Sequence, residues 1–488
     1  MVLFGRLATT RGQQRMTEHI PRKYLWLGAA VLPPLLALFA YMRPGYFTSQ
    51  IYIGAIVLLE FLVFALWNYR KVFFTVVLLA FLFAGTGAPG GGMWNVARWL
   101  FLAVGAWAGI LLILKEREHH FGLFHAVAAL ASLAALISAA VSRFPTFAML
   151  RAVSVLLLFV YAATGARLAV NGREGRFFSA FTTGIEIFVA AVAGLYAIGY
   201  EVMGNPNSLG AVMGVVGAPM LLWGVLVADK KSVQTRRVAL FAICMYLVFH
   251  SHARAGIAAA MGSSVLLCLG LRKYAFLTKG LAILVIMLAA VAIFQPQTFS
   301  EKLSSATSTL MFKGKDPNLG IFASRETPWQ TAMDSIRSHF WFGTGFGTTD
   351  QGQDASEQYG QFSSTSAVTS EHGSSYLAIL AWVGVLGVVP FLFLLFLLVA
   401  YVARTVGWMF KTGMGAHPAI PLAMVVLAGL VHAGFEDWMF APGYYLSVFF
   451  WSVAFILVDI APSASILPST FSWRFSRAPQ PLGIVPGR

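Results

Sequence analysis

Long apolar runs separated by short polar links repeat along almost the whole chain, and none shows the strict alternation of a half-buried strand. A helix needs about 20 mostly apolar residues to cross a bilayer, and interfacial residues complete shorter runs. Fourteen runs meet that requirement: 24–42, 51–67, 72–86, 97–114, 121–141, 147–166, 178–200, 208–228, 238–251, 255–271, 279–295, 375–403, 418–435 and 443–460. The third and ninth are short enough to be re-entrant. Lipid leaves no water to pair an open backbone, so only helices or closed barrels span it, and runs of this kind are helices. The pattern predicts an all-α polytopic membrane protein of about 12–14 transmembrane helices.

The same pattern divides the chain. A polar, basic tail occupies 1–23, a helix array 24–295, one long polar stretch 296–373, further transmembrane helices 374–460, and a Pro- and Ser-rich tail 461–488. The first run lacks a small-residue cleavage site and is expected to be a retained span. Within the long stretch, Arg325, Trp329, Ala332, Met333 and Ile336 recur at helical spacing, while the part from Asp350 to Ser370 reads as mobile. Gly343, Gly345 and Gly347 follow the helical part. They follow no strand, so a dinucleotide reading fails its context, and a turn that folds the loop back on the membrane is expected.

Counting Lys and Arg orients the array. With a cytoplasmic N-terminus, 24 of the 34 basic residues fall on inner segments and nine on outer ones, with Arg151 inside a helix. That asymmetry predicts cytoplasmic N- and C-termini and a periplasmic long loop.

Composition narrows the class further. Of 488 residues, 58% are hydrophobic and 11% charged, less than half the roughly 25% charged of soluble domains. A soluble enzyme, a disordered chain and a coiled coil are thereby excluded. The net charge of +15 belongs to basic loops of a membrane protein and implies the bilayer, not nucleic acid, as partner. Cys244 and Cys268 both lie in apolar runs, which supports neither a disulfide framework nor a thiolate metal site. No P-loop, zinc spacing or nucleophile elbow occurs, so no cofactor or metal is expected.

Ionisable groups near a membrane core are costly, so each is a functional candidate. His250, His252, His339, His372, His432, Arg143, Arg151, Arg254, Arg325 and Glu436 fall at or beyond the outer edge. Arg254 lies in a very short connection, HSHARAGIAAA, whose small residues allow close helix approach. Arg151 sits about one turn inside its span and is expected to face a polar cavity or a carboxylate, Glu186 and Glu201 being structural alternatives. His432 and Glu436 have i, i+4 spacing on one predicted helix face, where a structural pair competes with a substrate contact. Arginines and histidines on one face suit a multiply charged anion, since the guanidinium fork fits diphosphate oxygens and imidazole can serve as base. Glu60 and Glu186, in mid-span, are the features that favour a transporter such as a polysaccharide flippase.

Four segments carry a family resemblance: NPNSLGAVMGVVGAPMLL (205–222), HSHARAGIAAAMG (250–262), SRETPWQTAMDSIRSHFWFGTGFG (324–347) and EHGSSYLAILAWVGVLGVV (371–389). In order and spacing they resemble the O-antigen ligase and polymerase family over about 200–440. The resemblance implies a GT-C-like, metal-independent glycosyltransferase of the bacterial inner membrane. Its donor would be an undecaprenyl-diphosphate-linked glycan at the periplasmic face, its acceptor a glycan or lipid A core, and its partners other polysaccharide-assembly proteins. Polymerisation of exopolysaccharide or O-antigen is the favoured activity, with ligation to lipid A core the alternative. By position Arg254 and Arg325 resemble the family's diphosphate-binding arginines, His372 its catalytic histidine, and Trp329 the tryptophan after the loop arginine. Asn207, Arg151, His252, His432 and Glu436 are further substrate-binding candidates. Two departures stand out. The family commonly has proline where Phe340 or Trp341 stands, and ten residues between its histidine and a glycine, whereas eleven separate His372 from Gly384. Anchoring on Tyr376 and Leu377 puts Gly373 in the histidine position, which leaves His250, His252 and His339 as alternative bases.

Overall fold

The computed structural model describes residues 82, 102–111, 121–170, 174–200, 202–203, 205–294, 323–348, 372–441 and 444–462. The first two expected spans, the third but for Leu82, Glu60, Glu201, the tails 1–23 and 463–488 and the loop parts 296–322 and 349–371 lie outside the described residues, as does the stretch expected to be mobile.

Each apolar run from 121 onward is a helix, as expected, and no strand occurs among the described residues. After α1 (Leu102–Leu111) come α2 (Leu123–Ala140) and α3 (Pro145–Tyr161), which continues through a π-helical turn at Ala162–Ala166 into Arg167–Val170. Next are α4 (Glu174–Ala197), α5 (Pro206–Leu226), α6 (Lys231–His250), α7 (Arg254–Gly270) and α8 (Tyr274–Phe294). From the long loop comes α9 (Ala323–Ser338), and then α10 (Ser375–Thr412), α11 (Ala419–Ala433) and α12 (Tyr445–Ile460). Six helices among the described residues are long and apolar enough to cross a membrane. The ninth expected span proves to be no re-entrant stub, because α6 begins at Lys231 and has 20 residues. Its first two turns are polar, which hid them from a hydropathy reading.

Helix α5 is buried on nearly every side and contacts α4, α6, α7 and α11. Its approach to α7 runs backbone to backbone. A Cβ on Gly214 would strike the Gly256 carbonyl, and one on Gly256 the Gly210 carbonyl. Small residues permit such crossings where lipid offers no hydrophobic drive between helices. A π-helical turn at Met213–Gly217 interrupts α5, and the Cys244 thiol donates to the Met213 carbonyl at 3.4 Å.

The 38 residues of α10 would run about 57 Å if continuous, nearly twice a hydrocarbon core of about 30 Å. The helix is broken at Gly384, with φ 66° and ψ −177°. The part after the break is about 42 Å long by itself and suffices to span.

A turn from the long loop fills the break. Thr344 and Gly345 amides donate to the Ala381 and Trp382 carbonyls at 3.0 Å each, and the Val385 and Leu386 amides donate to the Phe340 and Trp341 carbonyls at 2.9 and 3.3 Å. Ser138 Oγ of α2 adds a bond to the Trp382 carbonyl at 2.7 Å, and Ser142 Oγ one to the Thr344 carbonyl at 2.9 Å. Irregular backbone in apolar surroundings is tolerated only where protein satisfies it, and here the turn does. Gly343 (φ 70°) and Gly384 (φ 66°) allow the approach. A Cβ on either would enter the other segment's backbone.

The helix ends sort onto two sides. On the loop side lie the starts of α3, α5, α7, α10 and α12. On the opposite side Trp223 Nε1 donates to the Gly415 carbonyl at 2.8 Å, and Arg167 pairs with Asp459. Glu186 accepts from Arg236 and from Arg237, at 2.7 Å each. These basic residues, expected only to orient the chain, also fasten α3 to α12 and α4 to α6.

Candidate functional site

The connection between α6 and α7 is three residues long. His252 there takes a left-handed φ of 52°, and Ser251 Oγ donates to the Val248 carbonyl at 2.7 Å and accepts from the Ala253 amide at 3.3 Å. The tight reversal puts Arg254 at the first position of α7. Arg325, in the first turn of α9, is close enough for the two guanidinium charges to repel. Its Nη2 donates to Glu436 Oε1, and both side chains are largely buried.

His372 directly precedes the start of α10. Gly373 takes a φ of 66° and its carbonyl accepts from Trp329 Nε1 at 3.2 Å, while Ser374 caps the helix by accepting from the Tyr376 amide at 3.3 Å. The chain therefore bends sharply between His372 and the helix, and the imidazole is turned inward at 3% exposure. Its Nδ1 stands 3.5 Å from Asp437 Oδ2, and its backbone amide donates to the same oxygen at 3.0 Å. The ring meets Trp382 edge-on, centroids 5.6 Å apart. Burial pushes the Asp437 carboxyl up, but the bonds and charge of His372 more than offset this and hold it below the usual carboxylate range.

One dipeptide thus serves both side chains, Glu436 on Arg325 and Asp437 on His372. Its position is fixed from α10. Ser375 donates to the Glu436 carbonyl through its amide at 3.1 Å and its hydroxyl at 2.6 Å, and that hydroxyl accepts from the Met439 amide at 3.1 Å. Beside it, Tyr444 donates to Ser208 Oγ of α5 at 3.0 Å, and Tyr445 to the Ser208 carbonyl at 3.4 Å. The starts of α5, α7, α10 and α12 therefore meet around the Arg325 cluster, and aligned helix N-termini favour an anion.

Not every expected residue joins this cluster. His432 and Glu436 do not share a helix face, because α11 ends at Ala433 and the chain turns at Gly434. His432 Nδ1 instead accepts from Trp438 Nε1 at 2.8 Å, and its buried ring lies within reach of the Arg325 charge. Arg151 donates to the Gly347 carbonyl and its guanidinium lies 4.5 Å from the Phe147 ring centroid. It holds the glycine turn, and Glu186, its expected alternative partner, binds Arg236 and Arg237. Asn207 lies in the first turn of α5, where its amide donates to Asn205 Oδ1 at 2.8 Å. His252 is exposed, 6.1 Å by ring centroid from His250, which bonds the Tyr196 hydroxyl at 2.8 Å. His339 lies exposed at the end of α9 beside Ser338 Oγ, 3.0 Å away. Of the four histidines weighed as base, His372 is the one placed on a carboxylate of this cluster.

The sequence reading missed Asp437, Ser375 and Tyr444. Two adjacent acids in a short connection, on the same side as the basic candidates, were the available signal. Among the described residues no three metal-ligating side chains gather.

Residues 238–392 match the model of the O-antigen ligase family, so the resemblance carried by the sequence segments holds for this part of the chain, about a third of its length. The match covers α6 to the first half of α10 and includes Arg254, Arg325, Trp329 and His372. Arg151, Asn207, His432, Glu436 and Asp437 lie outside it. A comparison with curated proteins found no match.

Proposed function

We propose that the chain is a membrane glycosyltransferase of the O-antigen ligase/polymerase type, which transfers a glycan from an undecaprenyl-diphosphate carrier at the periplasmic face and polymerises exopolysaccharide or O-antigen. The observation that carries this reading is the convergence of Arg254, Arg325 and the His372–Asp437 pair at four helix starts on one side of an apolar bundle. In the reaction, an acceptor hydroxyl oxygen forms a bond to the donor's anomeric carbon as the bond from that carbon to the diphosphate oxygen breaks. The hydroxyl proton passes to His372, whose imidazolium Asp437 stabilises. Arg254 and Arg325 take the charge that develops on the departing diphosphate, the largest electrostatic contribution. No residue in this sequence of steps calls for a metal.

The flippase alternative relies on charges in mid-span, and the one described, Glu186, is occupied by two arginines of α6. The deciding experiment supplies lipid-linked repeat units to purified protein in liposomes containing EDTA. Chain growth is expected. Loss of activity with EDTA would overturn the metal-free mechanism. Units appearing singly on added lipid A core would replace polymerisation by ligation, and transbilayer movement without new glycosidic bonds would restore the flippase.

A further inference from the structure

Arg325 is 9% exposed, and its Nη2 already donates to the carboxylate of Glu436. Stripping one partner from a buried ion pair strands the other charge and is strongly unfavourable. A ligand at Arg325 therefore competes with that carboxylate, its own anionic oxygens replacing it on the guanidinium. A lipid monophosphate offers little more than the carboxylate it displaces. A diphosphate brings a second phosphate, whose added charge offsets the repulsion between the Arg325 and Arg254 guanidinium groups.

Ser375 pins the Glu436 backbone with bonds of 3.1 and 2.6 Å to its carbonyl, so the carboxylate can swing about a fixed point. Tyr444 stands within electrostatic reach of the carboxylate, and its hydroxyl can receive the displaced group by exchanging its bond to Ser208 Oγ.

We propose that Glu436 is a specificity-determining residue: by holding the Arg325 guanidinium it admits diphosphate-linked lipids and rejects monophosphate-linked ones. This rests on the donor reading given above. The test titrates undecaprenyl diphosphate and undecaprenyl monophosphate separately onto the full chain in nanodiscs, with binding read by native mass spectrometry. The unsubstituted protein is expected to prefer the diphosphate by about tenfold or more, the worth of one charge-assisted bond. Glu436→Gln is expected to shrink that preference to about threefold or less, mainly by gaining affinity for the monophosphate. Glu436→Asp, which keeps the charge but shortens its reach, should lie between and serves if the Gln variant does not fold. Asp437→Asn should leave the ratio unchanged. An unchanged ratio in Glu436→Gln, or an equal loss in Asp437→Asn, overturns the proposal. If the unsubstituted protein binds neither lipid, the donor reading fails instead.

Discussion

On the side opposite the loop, Glu186 is held by Arg236 and Arg237 and Asp459 by Arg167, and each pairing joins two helices. On the loop side Arg325 meets Glu436 and His372 meets Asp437, yet Arg254 also stands within repulsive reach of Arg325. Both sides use buried or half-buried ion pairs. The opposite side spends them on fastening, with two cations converging on one carboxylate between them. The loop side gathers two cations, two carboxylates and two histidines from the ends of separate helices. A cluster of perturbed, converging charges is what a site for a charged ligand needs and what a fastener does not.

Removing charge from each side tests that contrast. The largest effect is expected from His372→Ala and Arg254→Ala, which should lower glycan transfer by about 10²–10⁴-fold and about 10²–10³-fold in liposomes while unfolding temperature holds. Equal losses of folded protein would collapse the contrast. Glu186→Ala should do the opposite. It leaves two arginines without their carboxylate and is expected to cost about 3 kcal/mol of stability, with activity per folded molecule unchanged, as thermal unfolding and liposome assays would show.

Gly384→Ala separates docking of the loop from its chemistry. Its left-handed φ and the Trp341 carbonyl in the path of a Cβ predict a loss of about 1–3 kcal/mol and faster proteolysis of the 340–348 turn. Asp437→Asn should reduce transfer about tenfold, the worth of one charge-assisted bond, and change the acid limb of stability. Because the Asp437 carboxyl lies below its ordinary 3.8 in the folded chain, its contribution is complete above that value. It fades only as pH falls through the lower folded one. The variant should lack this acid-side loss when unfolding is followed against pH. Ser138→Ala, which deletes the bond to the Trp382 carbonyl, should cost only about 1 kcal/mol and spare activity.

The helices were legible because bilayer crossing demands long apolar runs, and every run from 121 onward became one. The polar start of α6 was not, since its arginines are paid for by Glu186, 51 residues earlier. The histidine–arginine content of the site could be read from position and resemblance. Its carboxylates could not be placed, because Arg325 and Glu436 are 111 residues apart and His372 and Asp437 are 65 apart. The i, i+4 pairing of His432 and Glu436 failed for a local reason: the helix stops at Ala433, and spacing means adjacency only while the helix lasts. Arg151 was expected at a polar cavity or a carboxylate and donates to the Gly347 carbonyl, a backbone partner with no signature in sequence.

The break in α10 also orders the making of the protein. A helix entering the bilayer with amides and carbonyls unpaired at residues 381–386 would be penalised there. Synthesis runs from the N-terminus, so residues 340–345, which complete those bonds, have left the ribosome before α10 begins to insert. The complement is waiting when the gap arrives. A circular permutant that makes α10 before the turn would reverse that sequence, and its α10 would form with the gap still open.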